Sequence, residues 1–177
     1  MIDFVEWHDV ESLCVSICSA WIEDNTSPPD HIIGLARGGL VPATIIAHQL
    51  GVRTVISHGY HSYDDNGGDP AHVRKEHGTM YQDCIEDLMK VLEGPVVLII
   101  DDLCDEGITM SGMVKRLIKK LDKHIIVKTA TLYCKEHSSY IPDHVGKMVG
   151  SNWLAFPWES SEALQSNSES ALISAIA

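Results

Sequence analysis

One stretch constrains the fold more than any other. Gly94-Pro95 turns the chain into Val96-Val97-Leu98-Ile99-Ile100, and this run ends on Asp101-Asp102-Leu103-Cys104-Asp105-Glu106-Gly107-Ile108-Thr109. Five consecutive aliphatic residues, four of them β-branched, read as a strand buried on both faces, which places it inside a parallel sheet. Thr109 then opens TMSGMVKRLIKKL (109–121), a helical pattern with Met113, Leu117 and Leu121 on one side and four basic residues near its end. A buried strand passing into an amphipathic helix through an acidic, glycine-containing loop is one βα unit of a larger alternating fold.

The rest of the chain supplies the other units. Residues 9–23 space Val10, Leu13, Cys14, Ile17, Cys18, Trp21 and Ile22 at helical intervals, and Ser27-Pro28-Pro29-Asp30 breaks the pattern. HIIGLA (31–36) reads as a strand, LVPATIIAHQL (40–50) as a helix closed by Gly51, and VRTVIS (52–57) as a further strand. YQDCIEDLMKVL (81–92) returns to helical spacing, and IIVKTATLY (125–133) is another strand. This alternation predicts an α/β fold, a parallel sheet flanked by helices, in one domain over 1–177. Residues 58–80, rich in His, Asp, Gly and Tyr, form a small flexible hood, and 160–177 a tail.

Charge and cysteine usage narrow the partners. With 25 acids against 13 bases the net charge is −12, which argues against a nucleic-acid or anionic-membrane surface but not against a phosphate held in one pocket. No apolar run reaches the ~20 residues a membrane span needs, and the acidic start lacks a secretion pattern, so a cytoplasmic location is expected. The five cysteines are scattered without a CxxC pair and are expected to be buried and structural, Cys14 and Cys18 sharing one inward helix face. His61, His72 and His77 lack metal-ligand spacing, so no zinc site is expected.

Two loops carry chemistry. Ligands of parallel α/β sheets sit beyond the carboxyl ends of the strands, and both loops fall there. In the first, Asp105, Glu106, Gly107, Ile108 and Thr109 can wrap a phosphate with backbone N–H groups, a hydroxyl and the positive end of a helix. The adjacent carboxylates of Asp101 and Asp102 suit vicinal ribose hydroxyls and a hard divalent cation. In the second, Ala36-Arg37-Gly38-Gly39, paired glycines admit close backbone approach and Arg37 offers planar donors to diphosphate oxygens.

Together these strings resemble the phosphoribosyl pyrophosphate motif and pyrophosphate loop of the type I phosphoribosyltransferases. GLARGGLVPATIIAHQLGVRTV is similar to the bacterial xanthine-guanine enzymes of that family. Further matches follow in order: Ser62-Tyr63 resembles the mobile loop that closes over the reacting centre, Lys135 the lysine that contacts the purine 6-oxygen. Trp153, with Phe156-Pro157-Trp158-Glu159 after it, resembles the segment whose first tryptophan stacks on the base. The likeness spans roughly 30–159. It departs in having Glu106 where the family has a threonine, a longer span from Arg37 to Asp101, and Leu154-Ala155-Phe156 beside the base.

The resemblance implies a purine phosphoribosyltransferase using Mg2+, phosphoribosyl pyrophosphate and a 6-oxopurine base (xanthine, guanine or hypoxanthine), assembled as a homodimer or homotetramer. It assigns catalysis to Asp105, Arg37 and Tyr63, with Asp105 near N7 of the purine. Substrate binding falls to Ala36, Gly38, Gly39, Ser62, Asp101, Asp102, Glu106, Gly107, Ile108, Thr109, Lys135, Trp153 and Leu154, and the metal to Asp101 and Asp102. The alternative is a non-catalytic regulatory protein of the same fold that binds phosphoribosyl pyrophosphate, favoured by Glu106 and the long hood. A DxD phosphatase, a P-loop protein and a GxGxxG dinucleotide fold lack their motifs here. An adenine or pyrimidine enzyme leaves Lys135 and the tryptophans unexplained.

Overall fold

The computed structural model describes residues 2–24, 27–61, 79–80, 94–120 and 125–159. The expected helix at 81–92, Ser62 and Tyr63, nearly all of the hood beyond His61, and the tail lie outside the described residues. In chain order the elements are β1 (Ile2–Phe4), α1 (Trp7–Glu23), β2 (His31–Ala36), α2 (Leu40–Leu50), β3 (Val55–His61) and β4 (Thr79–Met80). They continue with β5 (Val96–Cys104), α3 (Ile108–Lys120), β6 (Ile126–Lys135), β7 (His144–Val149), β8 (Trp153–Ala155) and a 3-10 turn, Pro157–Glu159. Among the described residues no helix is long and apolar enough to cross a membrane.

The main sheet has the order β4-β3-β2-β5-β6-β7. From β3 to β7 the pairs are parallel; β4 joins β3 antiparallel. The alternation along each central strand explains the layering. Ile32, Leu98 and Ile100 face α1 and α2, packing with Val10, Cys14, Ile17, Ala43 and Ile46. Ile33, Val97 and Ile99 face the other way, onto Met110, Met113 and Leu117 of α3. Each such side chain, once fully buried, contributes about 1.5–3 kcal/mol. A parallel sheet covered on both faces is the architecture the alternating pattern predicts.

Local signals explain the element ends. Glu6 and Asp9 form a capping box at the start of α1, each side chain meeting the other's backbone N–H. Gly51 ends α2 in the left-handed region at φ 71°. Of the apolar residues at helical spacing in α1, Val10, Cys14, Ile17, Cys18 and Trp21 are buried, while Ile22 is 65% exposed. Cys14 and Cys18 do share the buried face, and burial pushes their thiols up to about 12 and about 11. β5 also runs four residues further than the aliphatic run suggests, because Asp101, Leu103 and Cys104 continue the register with Thr131, Tyr133 and Cys134 of β6.

The strand order fixes where a ligand can sit. From β2 the chain goes outward to β3, then returns to place β5 on the opposite side of β2. The loops after β2 and β5 therefore leave the sheet in opposite directions and open a crevice between them. β1 and β8 form a separate two-stranded parallel ribbon, with Ile2 opposite Trp153 and Phe4 opposite Ala155.

Candidate active site

The crevice is lined by two adjoining cavities that share Asp101, Asp102, Thr109 and Glu159. The larger, about 420 Å³, lies against Ala36, Arg37 and Gly38. The other, about 340 Å³, is walled by residues 101–110 on one side and by Lys135, Trp153, Leu154 and Phe156 on the other.

The glycine pair behind Arg37 is needed for this approach. A Cβ on Gly38 would collide with the Asp102 carboxylate, and one on Gly39 would lie 2.6 Å from the carbonyls of Leu35 and Ile100. Absent side chains thus let the two loops meet backbone to backbone at the crevice. The Ala36–Arg37 peptide bond is cis, and Arg37 is exposed at the cavity edge.

Asp101 and Asp102 sit where β5 leaves the sheet. The Asp101 carboxylate accepts the Asp102 N–H at 3.0 Å, and the Asp102 carboxylate accepts the Leu103 N–H at 2.9 Å. Burial and the adjoining Asp102 charge hold Asp101 well above the ordinary carboxylate range, and burial raises Asp102 as well. Two crowded oxygen donors whose negative charge is poorly solvated match a hard divalent cation, so this pair fits Mg2+. Among the described residues no three His, Cys, Asp or Glu side chains converge into a fuller cage.

The loop 105–107 is held from below by residues that follow β6. The Glu106 carbonyl accepts both the N–H (3.2 Å) and the hydroxyl (2.6 Å) of Ser139. Gly107 has φ +79°, and a Cβ there would lie 2.7 Å from the backbone N of Tyr140. Its carbonyl accepts from Ser111 in the first turn of α3. The Glu106 side chain is exposed at the edge of the cavity. Asp105 meets Nε2 of His137 at 3.1 Å.

The opposite wall is built from the end of β6 and from β8. Lys135 is 3% exposed, and its ammonium donates to the Asn152 carbonyl. A lysine taken so far from water needs such an acceptor to offset desolvation. Trp153 is 65% exposed and lines the cavity, while Leu154 and Phe156 are buried. Behind them an aromatic row runs from Tyr133 to Phe156 (5.8 Å), Trp158 (4.9 Å, stacked) and Trp7 of α1 (5.7 Å).

A model of the phosphoribosyl transferase domain matches residues 5–163. The chain belongs to the phosphoribosyltransferase family. It is 31% identical over 129 residues to the xanthine-guanine phosphoribosyltransferase of Idiomarina loihiensis, covering 72% of this chain and 70% of that one. It is 30% identical over 145 residues to the enzyme of the same name from Ruegeria sp., covering 79% and 76%. The structure of a purine phosphoribosyltransferase from Pyrococcus horikoshii superposes with a TM-score of 0.65 at 26% identity, over 89% of this chain and 94% of that chain. A Helicobacter pylori xanthine-guanine-hypoxanthine phosphoribosyltransferase shares the fold, with a TM-score of 0.67 at 17% identity over 94% and 100%.

Within this phosphoribosyltransferase fold, most of the residues singled out in the sequence meet at one crevice. Ala36, Arg37, Gly38, Asp101, Asp102, Asp105, Glu106, Gly107, Ile108, Thr109, Lys135, Trp153 and Leu154 line its two cavities, and Gly39 packs directly beneath. Ser62 and Tyr63 are not among the described residues. Four contributors escaped the sequence reading: His137 beside Asp105, Ser139 beneath Glu106, Asn152 against Lys135, and Glu159 on the wall common to both cavities. Only Glu159 had a signal, as the acid closing the Trp153–Glu159 segment.

Proposed function

We propose that this phosphoribosyltransferase joins a 6-oxopurine base (xanthine, guanine or hypoxanthine) to phosphoribosyl pyrophosphate, forming the nucleoside 5′-monophosphate and releasing pyrophosphate. The observation that carries the reading is the shared cavity. The buried ammonium of Lys135 and the exposed ring of Trp153 face the same 340 Å³ space as the Asp101–Thr109 loop. The names of the relatives from Idiomarina loihiensis and Ruegeria sp. support the same class of base.

In this mechanism the protein positions reactants and stabilises charge, with no covalent intermediate. Residues 105–109 hold the 5′-phosphate on backbone N–H groups and the Thr109 hydroxyl. Asp101 and Asp102 hold the ribose hydroxyls and would hold Mg2+, which supplies positive charge to the leaving diphosphate. Arg37 and the backbone of 36–39 bind that diphosphate in the adjoining cavity. Trp153 stacks on the purine, and Lys135 donates to its 6-oxo group. Adenine would instead set an amino donor against this ammonium, two donors with no acceptor between them, and is rejected. As the base nitrogen attacks the anomeric carbon, Asp105 accepts a proton at N7. Ser62 and Tyr63 close over the reacting centre and exclude water.

Incubation of the protein with Mg2+, phosphoribosyl pyrophosphate and a panel of bases tests this directly. Nucleotide and pyrophosphate are expected with at least one 6-oxopurine and not with adenine. Tight binding of phosphoribosyl pyrophosphate without nucleotide formation would instead establish the non-catalytic binding protein. The family's homodimers or homotetramers and a cytoplasmic location are part of the same reading, and sedimentation tests the first.

A further inference from the structure

Asp105 lies on a loop, and loop carboxylates turn readily between rotamers. A general base is effective only when one of its oxygens is held within hydrogen-bond reach of the proton it takes. In this protein the loop after β6 reaches back along the loop after β5. Cys104 and Cys134 face each other in register at the two strand ends, so Asp105 and Lys135 leave adjacent strands side by side. Two residues beyond Lys135, His137 places Nε2 at 3.1 Å from Oδ1 of Asp105.

That contact is the first of a series. Ser139 caps the Glu106 carbonyl through both its N–H and its hydroxyl. Ser138 donates to the Tyr140 carbonyl at 2.8 Å, which also accepts the Cys104 thiol at 3.3 Å. Gly107 packs onto Ser138 and Tyr140 so closely that a Cβ would lie 2.7–2.8 Å from their atoms. The segment 137–140 is therefore a rigid footing for every residue from Cys104 to Gly107, and His137 is its contact to the Asp105 carboxylate. His137 is half exposed and packs into no core, which separates its contact with Asp105 from any general role in folding.

We infer that His137 is a positioning residue for Asp105. Its Nε2–H donates to Oδ1, fixing the rotamer in which the carboxylate lines the proposed base cavity. The same short segment then sets both polar groups that meet the purine, Lys135 at its start and Asp105 through His137. This rests on the reading of Asp105 as the proton acceptor.

Steady-state kinetics on His137→Ala, His137→Gln, Asp105→Asn and the double variant Asp105→Asn/His137→Ala test it, with thermal melts run on each. His137→Ala is expected to lower kcat roughly tenfold, the order of loss from slight misplacement of a reacting group, with KM for phosphoribosyl pyrophosphate nearly unchanged. His137→Gln, which keeps a side-chain N–H donor, is expected to recover most of kcat. The double variant should be no slower than Asp105→Asn alone, because His137 acts only through that carboxylate. A wild-type kcat in His137→Ala, losses that multiply in the double variant, or equal failure of Gln and Ala each overturn the inference. If Asp105→Asn itself turns over normally, the assignment of Asp105 fails and this inference with it. If Asp105→Asn is crippled and His137→Ala is not, only the role of His137 is lost.

Discussion

The two walls of the cavity are built differently. The wall proposed to bind the sugar phosphate, residues 101–109, grows out of the central strand β5, flanked by β2 and β6, and its loop is clamped by Ser139 and Tyr140. The wall proposed to bind the base, residues 152–159, belongs to a two-stranded ribbon outside the main sheet and is fastened by long-range contacts. Asn152 donates to Asp3, 149 residues away in sequence, β8 pairs with β1, and Phe156 and Trp158 stack toward Trp7. One wall is rigid because the sheet is rigid; the other depends on the first residues of the chain being in place. The difference teaches that ribose-phosphate binding and base binding should fail separately under mutation.

The largest expected effect lies where the walls meet. Asp105→Asn removes the proposed proton acceptor but keeps the shape of the loop, so turnover should fall by about 10²- to 10⁴-fold. Affinity for phosphoribosyl pyrophosphate, measured by calorimetry, should stay within a few-fold. Unchanged turnover would remove Asp105 from the chemistry.

Next comes the rigid wall. Gly107→Ala forces a side chain into a left-handed φ of +79° and against the backbone of Tyr140. Strain and overpacking of this kind cost about 1–3 kcal/mol, or roughly 2–12 °C in the melting temperature of a chain this size. Affinity for phosphoribosyl pyrophosphate should weaken along with it. If base affinity drops while the sugar ligand binds normally, the two walls are not independent and the comparison breaks.

The rigid wall was also the legible one. Residues 96–109 and 36–39 are contiguous strings whose burial pattern, glycines and acids each carry local meaning, and β2, α2, β5 and α3 fall where periodicity puts them to within a few residues. What was missed depends on the other strand. That β5 runs on through two acids to Cys104 follows from pairing with β6, and no property of Asp101 or Asp102 announces it. β1 and β8 are three residues each, too short for a period-2 signal. Lys135 is marked by the resemblance rather than by any local pattern, and its burial depends on Asn152 and the cavity wall around it. His137 is invisible because its partner is 32 residues away.

On the base wall, Trp153→Ala should raise KM for the base about 5- to 150-fold, the equivalent of ~1–3 kcal/mol of stacking. KM for phosphoribosyl pyrophosphate should change little. Because the ring is 65% exposed, the melting temperature should hold. A drop in stability with equal loss of both affinities would make this tryptophan a structural one and blur the distinction between the walls.

The smallest effect probes the fastening itself. Asp3 is exposed and accepts from Asn152 at 3.2–3.4 Å, a contact worth no more than about 1 kcal/mol in water. Asn152 in turn presents its carbonyl to the Lys135 ammonium. Asp3→Ala should therefore loosen the residue that holds Lys135 and raise KM for the base about two- to fivefold, with kcat and the affinity for phosphoribosyl pyrophosphate unchanged. A two-strand ribbon can retain its backbone pairing without this side chain, so global stability should fall by no more than this one contact is worth, about 1 kcal/mol. If base affinity is indifferent to Asp3, the ribbon alone positions the base wall and Asn152 needs no tether. If the sugar affinity shifts as well, the chain's first strand supports the whole crevice, and the separation between its rigid and fastened walls is only apparent.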